Sequence, residues 1–184
     1  METNGIDANF LNELNRSIHN EVSNIDSLKG FEIISESLVY KIFDLFGRNT
    51  LLSMLYQTGS SSGEGIAKRI KQKYAKDEFE IFEAIKILMS ELRDFYSMQI
   101  KEVQEYEDHF KIIIENHCFL RDPYSHRKKL EPGKAFCRIN KGYFETAFKK
   151  LLGDKINKIE INFLHDDIER DVCVEELVFY PNKQ

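Results

Sequence analysis

Between residues 38 and 96 apolar side chains return every third or fourth position; after residue 98 they return every second. The first spacing is that of a helix with one buried stripe, the second that of a strand with one buried face. Leu38, Val39, Ile42, Phe43 and Phe46 predict a helix opened by Ser35 or Ser37 and ended by Gly47. Leu51, Leu52, Leu55 and Tyr56 predict a second, with Gly59 as its C-terminal cap. A third begins near Ser62 and runs through Ile66, Ile70 and Tyr74. The fourth carries Phe79, Phe82, Ile85, Met89, Leu92 and Tyr96, with Ile81, Leu88 and Phe95 widening the stripe.

Residues 98–106 and 110–118 then read as strands joined at Glu107, Asp108 and His109. A loop with two prolines and a basic cluster follows, and Phe144, Ala147, Phe148 and Leu151 mark another helix closed by Gly153. Two more strands, 156–165 and 171–180, flank the acidic turn at residues 166–170. The expected fold is α+β: N-terminal helices plus a four-stranded antiparallel sheet in helix–hairpin–helix–hairpin order. Residues 1–30, rich in Asn, Ser and Asp, carry only a weak stripe of Phe10, Leu11, Leu14 and Ile18. They read as an arm with a short amphipathic helix and a linker, leaving 31–180 as the main domain.

Composition narrows the function. The chain has 184 residues, 42% of them hydrophobic, which suits one core-forming domain with a terminal extension. A net charge of -5 argues against nucleic acid, whose binding needs a basic footprint. No apolar run approaches the roughly 20 residues of a membrane span, and the N-terminus lacks the pattern of a secretion signal, so a cytoplasmic protein is expected. Its three cysteines, Cys118, Cys137 and Cys173, make a poor disulfide framework and fit that compartment.

The stretch YQTGSSSGEGIAKRI, residues 56–70, superficially suggests a phosphate-binding loop. A Walker-type loop leaves a strand and puts lysine directly after its last glycine; here helices are expected on both sides and Glu64 follows Gly63. A helix corner is the expected structure, with Gly63 and Gly65 letting helices approach closely.

An apolar helix ending in Leu55-Tyr56-Gln57-Thr58-Gly59, followed by Gly63, resembles the first signature of the 4-vinyl reductase domain family. Cys137 shortly before Gly142, Gly153 after the helix and Cys173 on the last strand are similar to its second signature. The resemblance covers most of the chain beyond the arm. It implies the superfamily that also holds subunits of the TRAPP vesicle-tethering complex and, more distantly, haem-type nitric oxide sensors. It further implies a ligand-binding scaffold, often dimeric, with a pocket between helices and sheet. In sensor members a zinc site of cysteines and a glutamate sits close to that pocket. The matching positions here are Cys137, His165 in place of a cysteine, and Cys173, while the family glutamate falls on Asn162.

Strand alternation puts His165 in phase with Ile159, Ile161 and Phe163, hence toward the core, and Cys118 in phase with Ile112 and Ile114. Cys137, His165 and Cys173 are the zinc ligands that the resemblance implies, with Cys118 the candidate for the missing fourth. The alternative is that the cysteines pack as small hydrophobes and His165 hydrogen-bonds a carbonyl. Phe82, Ile85, Met89, Phe144 and Phe148 are the candidate lining of a ligand pocket, or else ordinary core. Glu115 and His117 can share a strand face, as an acid–base pair requires, although strand-edge polar residues are ordinarily solvated. No nucleophile elbow or cofactor loop stands out, which points away from an enzyme.

The leading expectation is a non-enzymatic module that binds a small apolar molecule, a lipid or a metal and acts as a homodimer or as a heterodimer with a paralogue. Leu38, Ile42, Leu51 and Leu55 are the expected dimer surface. The alternatives are a TRAPP-like subunit in membrane trafficking and a small reductase-type enzyme. The basic run His126, Arg127, Lys128 and Lys129, with Arg121 and Lys134, offers peripheral contact with an anionic membrane or an acidic partner, or is a solvated loop.

Overall fold

The structure, a computed structural model, describes residues 8–20, 25–120 and 136–182. The basic run 126–129 with Arg121 and Lys134, the first residues of the arm, and the side chains of Leu14 and Ile18 lie outside the described residues. Two compact units divide the chain, Met1–Ser35 and Glu36–Gln184. The first contains helix α1, Ala8–Asn20, on which Phe10 and Leu11 are exposed, and the opening turns of α2.

The span Ser27–Tyr74, α2, is two helices meeting at a kink at Gly47, so the expected break there holds while the second and third expected helices are one. Its start is set by Asp26, whose carboxylate accepts a hydrogen bond from the Lys29 N–H at 2.7 Å, rather than by Ser35 or Ser37. Residues 27–30, expected in a linker, are helical. Gly47 interrupts the helical geometry at φ 76°, ψ 176°, as its sequence position suggested, and the helix resumes at once.

Residues 59–65 are not a corner. Leu51, Leu55, Gly59, Gly63 and Ala67 are all buried on one ridge at intervals of four. This ridge meets helix α4, Cys137–Leu152. A Cβ at Gly59 would fall on the carbonyl oxygen of Ile139, and one at Gly63 on that of Tyr143. Gly142 reciprocates, since its Cβ would fall on the carbonyl oxygen of Tyr56. Each helical glycine costs about 1 kcal/mol relative to alanine, a cost offset here by backbone-to-backbone contact. The glycine cluster is a local turn signal that tertiary packing overrides. Gly65, with nothing near its missing side chain, takes no part.

Helix α3, Ile81–Glu91, is shorter than the stripe from Phe79 to Tyr96. The Leu92 carbonyl accepts hydrogen bonds from both Phe95 and Tyr96 N–H at 2.8 Å, closing a turn into strand β1. Leu92 and Tyr96 stay buried without belonging to the helix. The strands are β1 Tyr96–Glu105, β2 Phe110–Cys118, β3 Ile156–Asp167 and β4 Val172–Pro181. They form one antiparallel sheet in the order β1-β2-β4-β3, so the α+β expectation holds. Gly153, at φ 57°, ends α4 and a short 3-10 turn leads into β3.

One face of the sheet packs on the helices. Phe148 of α4 meets Phe179 of β4 edge-on at 5.2 Å, and Phe110 of β2 stacks on Phe179 at 4.9 Å. Ile112, Ile114 and Leu177 complete this inner face. Fully burying each such side chain stabilises the fold by about 1.5–3 kcal/mol. Strand β3 is an edge, and α4 caps it: the Ile161 N–H donates to Glu145 at 3.2 Å, and Lys141 Nζ donates to the Ile161 carbonyl at 3.0 Å. Tyr56 of α2 donates to the other Glu145 oxygen at 2.8 Å. Glu145 thus joins α2, α4 and the sheet.

Candidate functional site

The apolar inner face is broken by polar residues at one end. Asn116 falls in phase with Ile112 and Ile114 on β2, and Glu175 in phase with Leu177 and Phe179 on β4. Antiparallel pairing sets Asn116 opposite Cys173, and Ile114 opposite Glu175. Tyr96 arrives from β1, opposite Cys118, and Asn140 from the first turn of α4. All four polar side chains are buried, Asn116 at 0% and Glu175 at 3% exposure.

Their hydrogen bonding is incomplete. Asn116 Nδ2 donates to Glu175 Oε2 at 3.4 Å, and Tyr96 Oη donates to Asn140 Oδ1 at 3.0 Å. Among the described residues Asn116 Oδ1 and Asn140 Nδ2 have no hydrogen-bond partner. Leaving a buried polar atom unsatisfied costs about 1–3 kcal/mol, so a further acceptor at Asn140 and a further donor at Asn116 would be stabilising. Burial pushes the Glu175 carboxyl from 4.5 up to about 7, against a smaller downward pull from Asn116. Burial also raises the Tyr96 hydroxyl well above its ordinary value and holds Tyr143 at about 12.

Glu175 lines a cavity of about 250 Å³ between the start of α4 and the β3–β4 pair. Cys137, Ile161 and Phe163 form its walls, with Arg138, Lys141 and Asn162 completing the lining. The site therefore combines a small partly apolar space with a buried carboxyl whose proton is exchangeable near neutral pH.

The predicted zinc ligands do not converge. A bulge between Phe163 and His165 shifts the β3 register, pairing His165 with Val174 and Asp166 with Cys173. The bulge turns His165 to the outer face, where it is exposed, while Cys173 stays buried on the inner face. His165 was expected to face the core; one inserted residue reverses it. Cys118 is buried and Cys137 half-buried at the cavity wall. Among the described residues no group of three His, Cys, Asp or Glu side chains could hold a metal ion.

The predicted pocket lining lies elsewhere as well. Ile85, Phe144 and Phe148 are fully packed core, and Met89 is half-buried against it. Phe82 is 61% exposed and stacks on Phe110 at 5.5 Å. The stripes close on each other, so they fill the core rather than enclose a space. Glu115 and His117 are also engaged separately. Glu115 forms a two-pronged pair with Arg170 at 2.5 Å, whereas His117 Nδ1 lies 2.8 Å from the Asp171 carbonyl.

Tyr96, Asn116, Asn140 and Glu175 were not singled out from sequence. The signal was present for two of them: Asn116 and Glu175 occupy apolar phases of alternating strands.

No protein-family model matches the sequence, and no curated protein matches it. Solved structures do. The phenol-responsive sensory domain of the transcription activator PoxR, determined with phenol, superposes with a TM-score of 0.54 at 14% identity. That match covers 81% of this chain and 74% of the other. Trafficking protein particle complex subunit 3 from Naegleria fowleri, covalently bound to palmitic acid, gives 0.54 at 12% identity, covering 85% and 95%. The chain has the α+β fold of these domains. The likeness to 4-vinyl reductase and TRAPP domains read from the two sequence signatures holds at the level of fold. Among the described residues no helix is long and apolar enough to cross a membrane.

Proposed function

We propose that this chain is a non-enzymatic binding module that takes a small, largely apolar molecule into the cavity beside Glu175 and acts through association with a second copy or a related chain. The observation that carries the reading is the unfilled hydrogen-bonding capacity of Asn116 and Asn140 behind a cavity-lining buried carboxyl. The two structural neighbours support it by analogy of fold, since one was solved with phenol and the other with palmitic acid.

For association the available surface is the stretch of α2 before Gly47. Leu38 is 60% and Phe46 61% exposed, with Leu45 beside them. Leu51 and Leu55, expected on the same surface, are instead buried within the chain, and Ile42 is half-buried. This apolar face also suits a second reading, a subunit of a trafficking assembly, because such a subunit needs a surface for its neighbours.

Native mass spectrometry of the purified chain tests both. A dimer mass with a retained small molecule is expected, and Leu38→Glu combined with Phe46→Ser should shift the dimer to monomer. A ligand-free monomer with no related chain co-purifying contradicts the proposal. Stable co-assembly with several different subunits, without a small molecule, favours the second reading.

A further inference from the structure

The sheet contains two buried glutamates, and they differ in what meets them. Glu115 is held by Arg170 through both carboxylate oxygens and lies 3.4 Å from Lys101. Glu175 is more deeply buried, yet its carboxylate takes part in no ion pair among the described residues; its hydrogen bond is the long one from Asn116. A buried carboxylate is ordinarily matched by a cation or by several donors. Here the unmatched side opens on a cavity.

We infer that the cavity selects a small apolar amine, with the protonated amino group seated on the Glu175 carboxylate and the apolar body against Ile161, Phe163 and Cys137. The inference rests on the binding role proposed above and specifies its ligand. An ammonium group supplies the missing charge and three donors. Behind the carboxylate, Asn116 donates to Glu175 through one end of its amide, and among the described residues its Oδ1 has no donor. At Glu175 a carboxylic acid would set one carboxyl against another, leaving it only Arg138 and Lys141 at the edge of the lining, and an alcohol would bring no charge to the carboxylate.

Among the described residues the other charged and titratable groups around Glu175 do not supply its cation. Lys141 is engaged by the Ile161 carbonyl at 3.0 Å and by Glu145 at 3.4 Å. Arg138 is exposed at the cavity rim. Tyr96 from β1 donates to Asn140, and the remaining neighbours on β2, β4 and α4 are the thiols Cys118, Cys173 and Cys137.

Calorimetric titration of the full chain with benzylamine, benzyl alcohol and benzoate isolates the head group on one body. At pH 8 benzylamine is expected to bind at least about tenfold more tightly than the other two, the scale of one charge-assisted hydrogen bond. Its affinity should fall as the pH drops through 7, because protonating Glu175 removes the counter-charge while the amine keeps its own. Glu175→Gln should bring the amine down to the alcohol. Equal or tighter binding of the alcohol or benzoate, or amine binding indifferent both to pH and to Glu175→Gln, overturns the amine inference and leaves the binding role standing. Failure of all three to bind the folded protein counts against both. The pH series on the unaltered chain keeps the test decisive if Glu175→Gln does not fold.

Discussion

Glu115 and Glu175 lie one register step apart on neighbouring strands, on opposite faces of the same sheet, and both are buried. On the outer face Arg170, then Lys101, hold the Glu115 carboxyl below the usual carboxylate range. On the inner face burial raises Glu175 to about 7 with only Asn116 opposing it. The same residue type, at nearly the same height in the sheet, is finished on one side and unfinished on the other. The outer face shows that the fold can match a buried acid when stability alone is at stake. The unmatched inner carboxyl is where the proposed ligand would sit.

The contrast can be broken most forcefully from a distance. Helix α4 walls the Glu175 cavity through Cys137 and is held against α2 by Gly59, Gly63 and Gly142. Gly142→Val must push the helices apart, because its Cβ would fall on the Tyr56 carbonyl oxygen and within 3.0 Å of the Ser60 nitrogen. A loss of about 3 kcal/mol or more is expected in urea unfolding. Hydration of the displaced cavity should also bring Glu175 back toward ordinary carboxyl behaviour. Gly65→Ala, on α2 with open space beside it, should do the opposite and gain up to about 1 kcal/mol. Equal effects at the two positions would remove the close crossing.

The next effect separates the glutamates by pH. Because folding raises the Glu175 pKa, the folded state holds this proton more tightly. The group's contribution is therefore fully present below about 4.5 and is lost as pH rises through about 7. Between those limits it weakens the fold by up to about 3 kcal/mol. The stability of Glu175→Gln relative to the parent should accordingly improve from pH 5 to pH 8, read from denaturant midpoints at each pH. A constant difference would mean that Glu175 is solvated.

Glu115 carries the opposite sign and the smallest effect. Its lowered pKa contributes stability above the ordinary carboxylate range, lost as pH falls through the folded value. Arg170→Ala should cost stability at pH 7, and the deficit should shrink in acid. Arg170 is largely exposed, so the pair is screened by solvent and the loss should be smaller than either effect above.

The sequence was a good guide where a pattern is local. Period-two alternation located all four strands and period 3.6 the main helices, because each pattern reports one buried face of one element. It misled where a distant element decides. The residues around Gly59 signal a turn by themselves, and only Gly142, more than eighty positions later, turns their smallness into a helix contact. A single bulge in β3 carried His165 from the predicted inner face to the outer one, and no residue type at that point announces a bulge. The aromatic stripes of α3 and α4 read as core first, and as pocket only where two stripes fail to close, which their packing against Phe110 and Phe179 decides. Asn116 and Glu175 were legible in principle, as polar residues at apolar phases.

The central claim is that the space beside Glu175 receives a ligand, and protein-observed NMR with a set of small ring-containing fragments tests it most directly. Amide shifts from fragment binding should cluster at Asn116, Cys137, Phe163 and Glu175, with Glu115 and Arg170 on the opposite face unmoved. Shifts confined to the exposed apolar stretch of α2, with the residues around Glu175 silent, would contradict it.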